Sequence, residues 1–271
     1  MQPESIARPP LTLPGLHALK ARGEKIVVVT AYDASFAAAA DAAGIDVVLV
    51  GDSLGMVVQG HESTLPVNVD HMVYHTACVA RGLDRAWLIA DMPFMSARDV
   101  PTAMATATRL MSEGGSEMVK LEGSGWASEV IHALSTRDIP VCAHLGLTPQ
   151  SVYKLGGFRV QGREASAAEH LKAAAREVQD AGADLLVLEC VPAALAAEIT
   201  RELRIPTIGI GAGVDCDGQV LVLHDLLGVS TGKRPRFVKN FLTGHDSIVG
   251  ALGAYADAVH TRAFPAAEHS Y

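Results

Sequence analysis

Five apolar runs in this chain stop at a group able to do chemistry. Val47-Val48-Leu49-Val50 runs into Gly51-Asp52-Ser53, Leu88-Ile89-Ala90 into Asp91, Val119-Lys120-Leu121 into Glu122, Val141-Cys142-Ala143 into His144, and Leu185-Leu186-Val187-Leu188 into Glu189. Short β-branched or leucine-rich runs read as strands covered on both faces, the pattern of a parallel sheet hidden by crossover helices. Such strands carry their chemistry at the C-terminal tips, so acids far apart in sequence converge there. Grouped carboxylates without histidine partners suit a hard divalent cation, and Mg2+ takes one or two of them while leaving places for water and substrate. Asp52 and Asp91 are the first candidates to hold it, and Glu122 either restrains the ion through water or pairs with Lys120.

Each acid alone reads equally well as a helix N-cap or a rim ion pair. Four at the ends of buried strands point to a site. Lys120 and Glu122 are two apart and therefore share one strand face. A lysine inside a barrel requires an anion, which leaves two roles for Lys120: a Schiff base with a carbonyl substrate, or an ammonium that holds a carboxylate beside a metal. Acids at the neighbouring strand ends favour the second. Glu189 lies between four apolar residues and Cys190-Val191-Pro192, a setting that tunes a carboxylate toward a base; the alternative is a cap for the helix that follows. His144 is either a structural hydrogen-bonding group or a contact for substrate or product.

The elements that must position these groups alternate along the whole chain. Strands are predicted at Lys25–Thr30, Val47–Val50, Trp87–Asp91, Met118–Glu122, Pro140–His144, Asp184–Glu189, Pro206–Ile210 and Val220–Leu223. Between them, helical patterns cover Phe36–Ala43, capped by Asp33 or Ser35, then Val69–Arg81, Pro101–Glu113, Ala127–Thr136, Ala165–Ala181 and Ala193–Leu203. The first half of the long connection from Asp52 to Trp87 reads as a loop, and Leu145–Arg163 as a lid or binding loop.

Eight strands with intervening helices make a (β/α)8 barrel, one domain over residues 1–271. A frayed lead-in over residues 1–12 and a helix from Pro14 precede it, and a helical extension from Asp246 to Arg262 covers the barrel or a neighbouring subunit. An open doubly wound sheet gives similar runs. Its nucleotide fingerprint fails here, because Val214 stands where the third glycine after Gly209 and Gly211 belongs.

With 49% apolar but only 5% aromatic residues, the core must be aliphatic. The formal charge of −8 argues against a nucleic-acid partner, which requires clustered cations. Cys78, Cys142, Cys190 and Cys216 are scattered without a C-x-x-C pair and read as reduced thiols. No run has the length of a membrane span, and the N-terminus lacks the layout of a signal peptide, so a cytoplasmic protein is expected.

Longer motifs add a resemblance. Val29-Thr30-Ala31-Tyr32-Asp33, Val50-Gly51-Asp52-Ser53-Leu54-Gly55-Met56, Ala90-Asp91-Met92-Pro93-Phe94, Val119-Lys120-Leu121-Glu122-Gly123, His144-Leu145-Gly146-Leu147-Thr148-Pro149-Gln150 and Leu188-Glu189-Cys190-Val191-Pro192, in this order, resemble the ketopantoate hydroxymethyltransferase family. Small departures are Glu62, where aspartate is common, and Asn68, where threonine is common. The resemblance implies a (β/α)8 barrel that transfers a hydroxymethyl group from 5,10-methylenetetrahydrofolate to 3-methyl-2-oxobutanoate through a Mg2+-stabilised enolate, in pantothenate and coenzyme A biosynthesis. It implies Asp52 and Asp91 as metal ligands, Glu122 as a metal-associated glutamate, and Ser53, Asp91 and Lys120 as oxo-acid contacts. Glu189 matches the proton acceptor. A homo-oligomer, commonly a decamer, is implied as well. A Mg2+-dependent lyase or mutase of another 2-oxo acid is the nearest competing reading, and a catalytically silent scaffold a third.

Overall fold

The structure, a computed structural model, describes residues 9–230 and 234–271. Eight parallel strands, β1 (Ile26–Thr30), β2 (Val47–Val50), β3 (Trp87–Asp91), β4 (Met118–Glu122), β5 (Val141–Gly146), β6 (Leu185–Glu189), β7 (Thr207–Ile210) and β8 (Gly218–Leu221), form a closed ring in chain order. Pairing of β1 with β8, Val28 beside Val220, closes the ring and excludes the open sheet. Every residue of β1 to β4 is buried, as strands wrapped by helices outside and packed side chains inside must be.

The predicted and observed strands agree to within two residues at every end; at the seam the whole of β8 is shifted, beginning at Gly218 instead of Val220. The reason is a close approach: a Cβ on Gly218 would lie 2.3 Å from the carbonyl oxygen of Ile26. Helix ends follow local chemistry. Asp33 accepts the N–H of Phe36 (2.9 Å), Asp99 that of Thr102 (2.8 Å), and Ser247 that of Gly250 (3.0 Å), each satisfying a donor that the first helical turn leaves over.

The amino-terminal rim carries a repeated fastening. Asp46, Glu117, Asp184 and Asp217 stand immediately before β2, β4, β6 and β8. Each accepts a backbone N–H from the start of the preceding strand: Val27 (3.0 Å), Leu88 (3.0 Å), Val141 (3.0 Å) and Thr207 (2.8 Å). At the first three, the acid's own N–H returns a bond to the same residue's carbonyl, at 3.0, 2.9 and 2.8 Å. The four odd-even strand pairs are thus fastened at the floor by one device.

Of the lead-in, residues 1–8 lie outside the described residues. The remainder is anchored, since the Leu11 N–H donates to Arg85 O at 2.9 Å and Thr12 caps the helix Leu13–Arg22. The C-terminal helix Ile248–His260 covers this barrel: fully buried Tyr255 places its hydroxyl 3.0 Å from Val28 O and 2.9 Å from Gln219 O, across the β1–β8 seam. Among the described residues no helix is long and apolar enough to cross a membrane, and all four cysteines are free.

Candidate active site

Asp52, Ser53, Asp91, Lys120, Glu122, His144 and Glu189 all line one cavity of about 790 Å3 at the carboxyl mouth. The sheet register brings most of them together. Asp91 of β3 lies beside Lys120 of β4, and Glu122 of β4 beside His144 of β5. Neighbours in parallel register point to one face, so the first pair closes to 2.5 Å between Lys120 Nζ and Asp91 Oδ1.

Asp52 arrives differently. It lies two residues beyond β2, on the turn into a short helix, Leu54–Val57, where the sequence reads as loop. Its N–H donates to Asp91 Oδ2 at 3.0 Å, so Asp91 serves the lysine with one oxygen and the Asp52 backbone with the other. The Ser53 hydroxyl lies 2.9 Å from that of Tyr32.

Of the two readings of Glu122, the pair with Lys120 is not the one formed. Asp91 takes the ammonium, while Glu122 Oε2 accepts the Gln150 N–H at 3.0 Å and Oε1 lies 3.5 Å from His144 Nδ1. His144 Nε2 is 3.3 Å from Glu189 Oε2. The imidazole therefore stands between two carboxylates, 3% exposed, with neither ring nitrogen in hydrogen-bond geometry.

Glu189 is 14% exposed at the side chain. It caps nothing: the helix Ala193–Glu202 begins at Pro192 without a side-chain cap. Cys190 after it adopts φ +49, a left-handed conformation uncommon outside glycine, which turns the chain sharply at the rim.

Electrostatics follow from burial. Loss of water, then Asp91 and Glu122, push the Asp52 carboxyl well above the ordinary aspartate value. Burial pulls the Lys120 ammonium down, but Asp91, Glu122 and Asp52 outweigh it, so the group stays charged. Burial and Lys120 likewise oppose protonation of His144, and Glu122 and Glu189 overcome them, lifting it to about 9.

Four carboxylates against one ammonium and one protonated imidazole remain short of positive charge, and a divalent cation answers that deficit. Among the described residues no three of His, Cys, Asp or Glu form a closed metal-ligand set. A two-carboxylate arrangement of Asp52 and Asp91 is the kind that hard Mg2+ accepts with water and substrate completing its shell. The donor chemistry therefore fits.

Sequence reasoning assigned no role to Gln150, at the 310 turn Pro149–Ser151 after β5. Its carboxamide donates to Asp52 Oδ2 (2.8 Å) and Met92 O (3.0 Å), and its N–H to Glu122. The segment read as a lid or binding loop is tied directly to the acids. Nothing in residue type or spacing marks such a tie, although Gln150 ends one of the motifs carrying the resemblance.

An acid cluster with an internal lysine at the carboxyl mouth of a closed (β/α)8 barrel defines a barrel enzyme. The sequence model of the family described as Ketopantoate hydroxymethyltransferase matches residues 10–267. A 3-methyl-2-oxobutanoate hydroxymethyltransferase of Marinobacter nauticus is 59% identical over 261 residues, covering 96% of this chain and 98% of that one. The chain belongs to the ketopantoate hydroxymethyltransferase family and is an enzyme of the 3-methyl-2-oxobutanoate hydroxymethyltransferase type. More distant solved structures share the fold. A phosphonopyruvate hydrolase in complex with oxalate and Mg2+ has a TM-score of 0.60 at 12% identity, covering 96% of this chain and 93% of that one. A 2,3-dimethylmalate lyase, a member of the PEP mutase/isocitrate lyase superfamily, has a TM-score of 0.53 at 18% identity, covering 72% and 70%.

Proposed function

We propose that the enzyme transfers a hydroxymethyl group from 5,10-methylenetetrahydrofolate to 3-methyl-2-oxobutanoate, giving 2-dehydropantoate for pantothenate and coenzyme A synthesis. The observation that carries this reading is the meeting of Asp52, Ser53, Asp91, Lys120, Glu122, His144 and Glu189 around one cavity, in a chain of this family.

Asp52 and Asp91, with Glu122 as an associated glutamate, would hold a divalent cation, Mg2+ in this proposal, which would supply Lewis acidity for negative charge growing on the keto oxygen, worth several kcal/mol in such sites. Lys120 keeps its charge and steadies the oxo-acid carboxylate from beside Asp91, an electrostatic role instead of a Schiff base. Ser53 is a further contact for the oxo acid. Glu189 breaks the C3–H bond and takes the proton, and His144, 3.3 Å away, steadies the Glu189 carboxylate.

The product's C3 is quaternary, so an amine adduct at that position has no hydrogen to eliminate. Water therefore enters earlier: it adds to the methylene of the carrier, the carbon–nitrogen bonds break, and tetrahydrofolate and formaldehyde result. The enolate carbon attacks formaldehyde to form the new C–C bond, and Glu189 returns its proton to the alkoxide. Atoms and charge balance without a redox partner.

The direct test is proton NMR of 3-methyl-2-oxobutanoate in D2O with enzyme and no carrier. The C3 proton signal is expected to fade only when Mg2+ is present; exchange that is absent, or indifferent to metal, sinks the scheme. Borohydride trapping of substrate on Lys120 would restore the Schiff-base role. Family membership also supports a homo-oligomer, taken as a decamer, which light scattering reads directly.

A further inference from the structure

The acids form only part of the cavity wall. Phe158, Phe237 and Tyr271 line it too, together with Arg234 and Arg236. The Arg236 guanidinium lies 5.7 Å over the Tyr271 ring and donates to the carbonyls of Glu268 (3.0 Å) and Ala267 (3.3 Å). Tyr271 is fixed in turn by its main chain, whose oxygen accepts the Ala193 N–H at 2.8 Å. The tail is folded back so that its ring becomes wall.

Charge is segregated in the same way. In a chain of net charge −8, no acid occurs from Ser151 to Arg163, a stretch with Lys154, Arg159 and Arg163, and none from Arg234 to His245, which holds Arg234, Arg236 and Lys239. Both stretches border the cavity, one through Phe158 and the other through Arg234 and Phe237. Two acid-free cationic stretches beside the opening of an acidic protein, whose cavity wall there also holds Asp225, favour anions at the opening.

Size points the same way. A five-carbon oxo acid fills a small part of about 790 Å3, a volume within the range of roughly 300–1,000 Å3 that encloses a much larger ligand. Aromatic rings receive flat π systems, and arginine matches carboxylates with paired N–H donors.

We propose that this aromatic and cationic part of the cavity binds the one-carbon carrier, its flat heteroaromatic ring against Phe158, Phe237 and Tyr271 and its carboxylate tail on Arg234 and Arg236. The assignment rests on the transferase reading above. It divides one cavity between two substrates: the acids address the small oxo acid, the second part the large anionic carrier.

Calorimetric titration of the full protein with tetrahydrofolate bearing one or three glutamates tests it. Phe158→Ala and Arg234→Gln are suitable variants, because Phe158 is 56% exposed and Arg234 touches the Gly228 carbonyl at the rim (3.3 Å). Each is expected to weaken carrier binding by about tenfold, the effect of one lost stacking or charged contact. The triglutamate's advantage at low salt should disappear in Arg234→Gln. Metal-dependent C3 exchange, run in parallel without carrier, reports the acid cluster, and the loss of carrier affinity should exceed any loss of exchange several-fold. Carrier affinities within about twofold of the wild type in both variants, equal losses in binding and exchange, or no carrier binding by the wild type would each overturn the assignment. Absence of exchange in the wild type strikes the transferase reading instead, and the titration still decides this one.

Discussion

At the amino-terminal rim, Asp46, Glu117, Asp184 and Asp217 each receive an N–H from the neighbouring strand. At the carboxyl rim, Asp52, Asp91, Glu122 and Glu189 share one cavity with one lysine and one imidazole. The residue types are the same and the surroundings opposite. A carboxylate supplied with a dedicated backbone donor becomes a fastener, the bond offsetting part of its desolvation. The mouth acids instead share one ammonium and one imidazole, and Asp52 among them is pushed well above the ordinary aspartate value by burial and by its neighbours Asp91 and Glu122, the kind of setting in which carboxylates bind metals and move protons.

Substitutions separate the two rims. The largest effect belongs to Glu189→Gln, expected to slow metal-dependent C3 exchange by about 10²–10⁴-fold, the usual contribution of a general base, while leaving the denaturation midpoint near that of the wild type. Exchange at the wild-type rate would remove Glu189 from the role. Lys120→Met comes next, for stability: removing one partner from a buried ion pair costs about 3–5 kcal/mol, and urea denaturation of the metal-free protein reads it directly. A loss below about 1 kcal/mol would mean that Asp91 does not depend on that ammonium.

Floor substitutions are expected to be smaller and of another kind. Asp184→Ala leaves the Val141 N–H without its acceptor, a loss of about 1–3 kcal/mol, with C3 exchange unaltered. Asp184→Asn keeps an oxygen for that N–H and should fall within about 1 kcal/mol of the wild type at neutral pH. Its pH profile sharpens the contrast. Burial lifts the Asp184 carboxyl above the ordinary aspartate value, partly offset by the Val141 N–H, so the folded state holds the proton more tightly than the unfolded chain. The group's contribution is therefore greatest at low pH and declines as pH rises from the ordinary value through the raised one. Stability of wild type minus Asp184→Asn should slope downward across that window; a flat difference would show that burial does not perturb the floor acid.

Much of this was legible in the chain. Uninterrupted apolar runs such as Leu185–Leu188 identify buried parallel strands, and the acid or histidine ending each run identifies the mouth, because both signals are local in sequence. Partnership was not legible. Lys120 lies nearer Glu122 along the chain, yet it meets Asp91 because the β3–β4 register sets those two side by side. The return of Tyr271 to the cavity and the grip of Gln150 on two acids depend on loop and tail paths that carry no periodicity. The floor acids were equally silent, since an aspartate just before a strand looks like any turn residue until its neighbour is known.

Gln150 has a mechanical consequence. One residue of the segment after β5 grips the turn beyond β2 through Asp52, the end of β3 through the Met92 carbonyl, and the tip of β4 through Glu122. The segment cannot swing outward without letting go of all three, nor can those carboxylates spread without dragging it along. The position of this segment and the spacing of those anionic groups are thereby coupled through one residue.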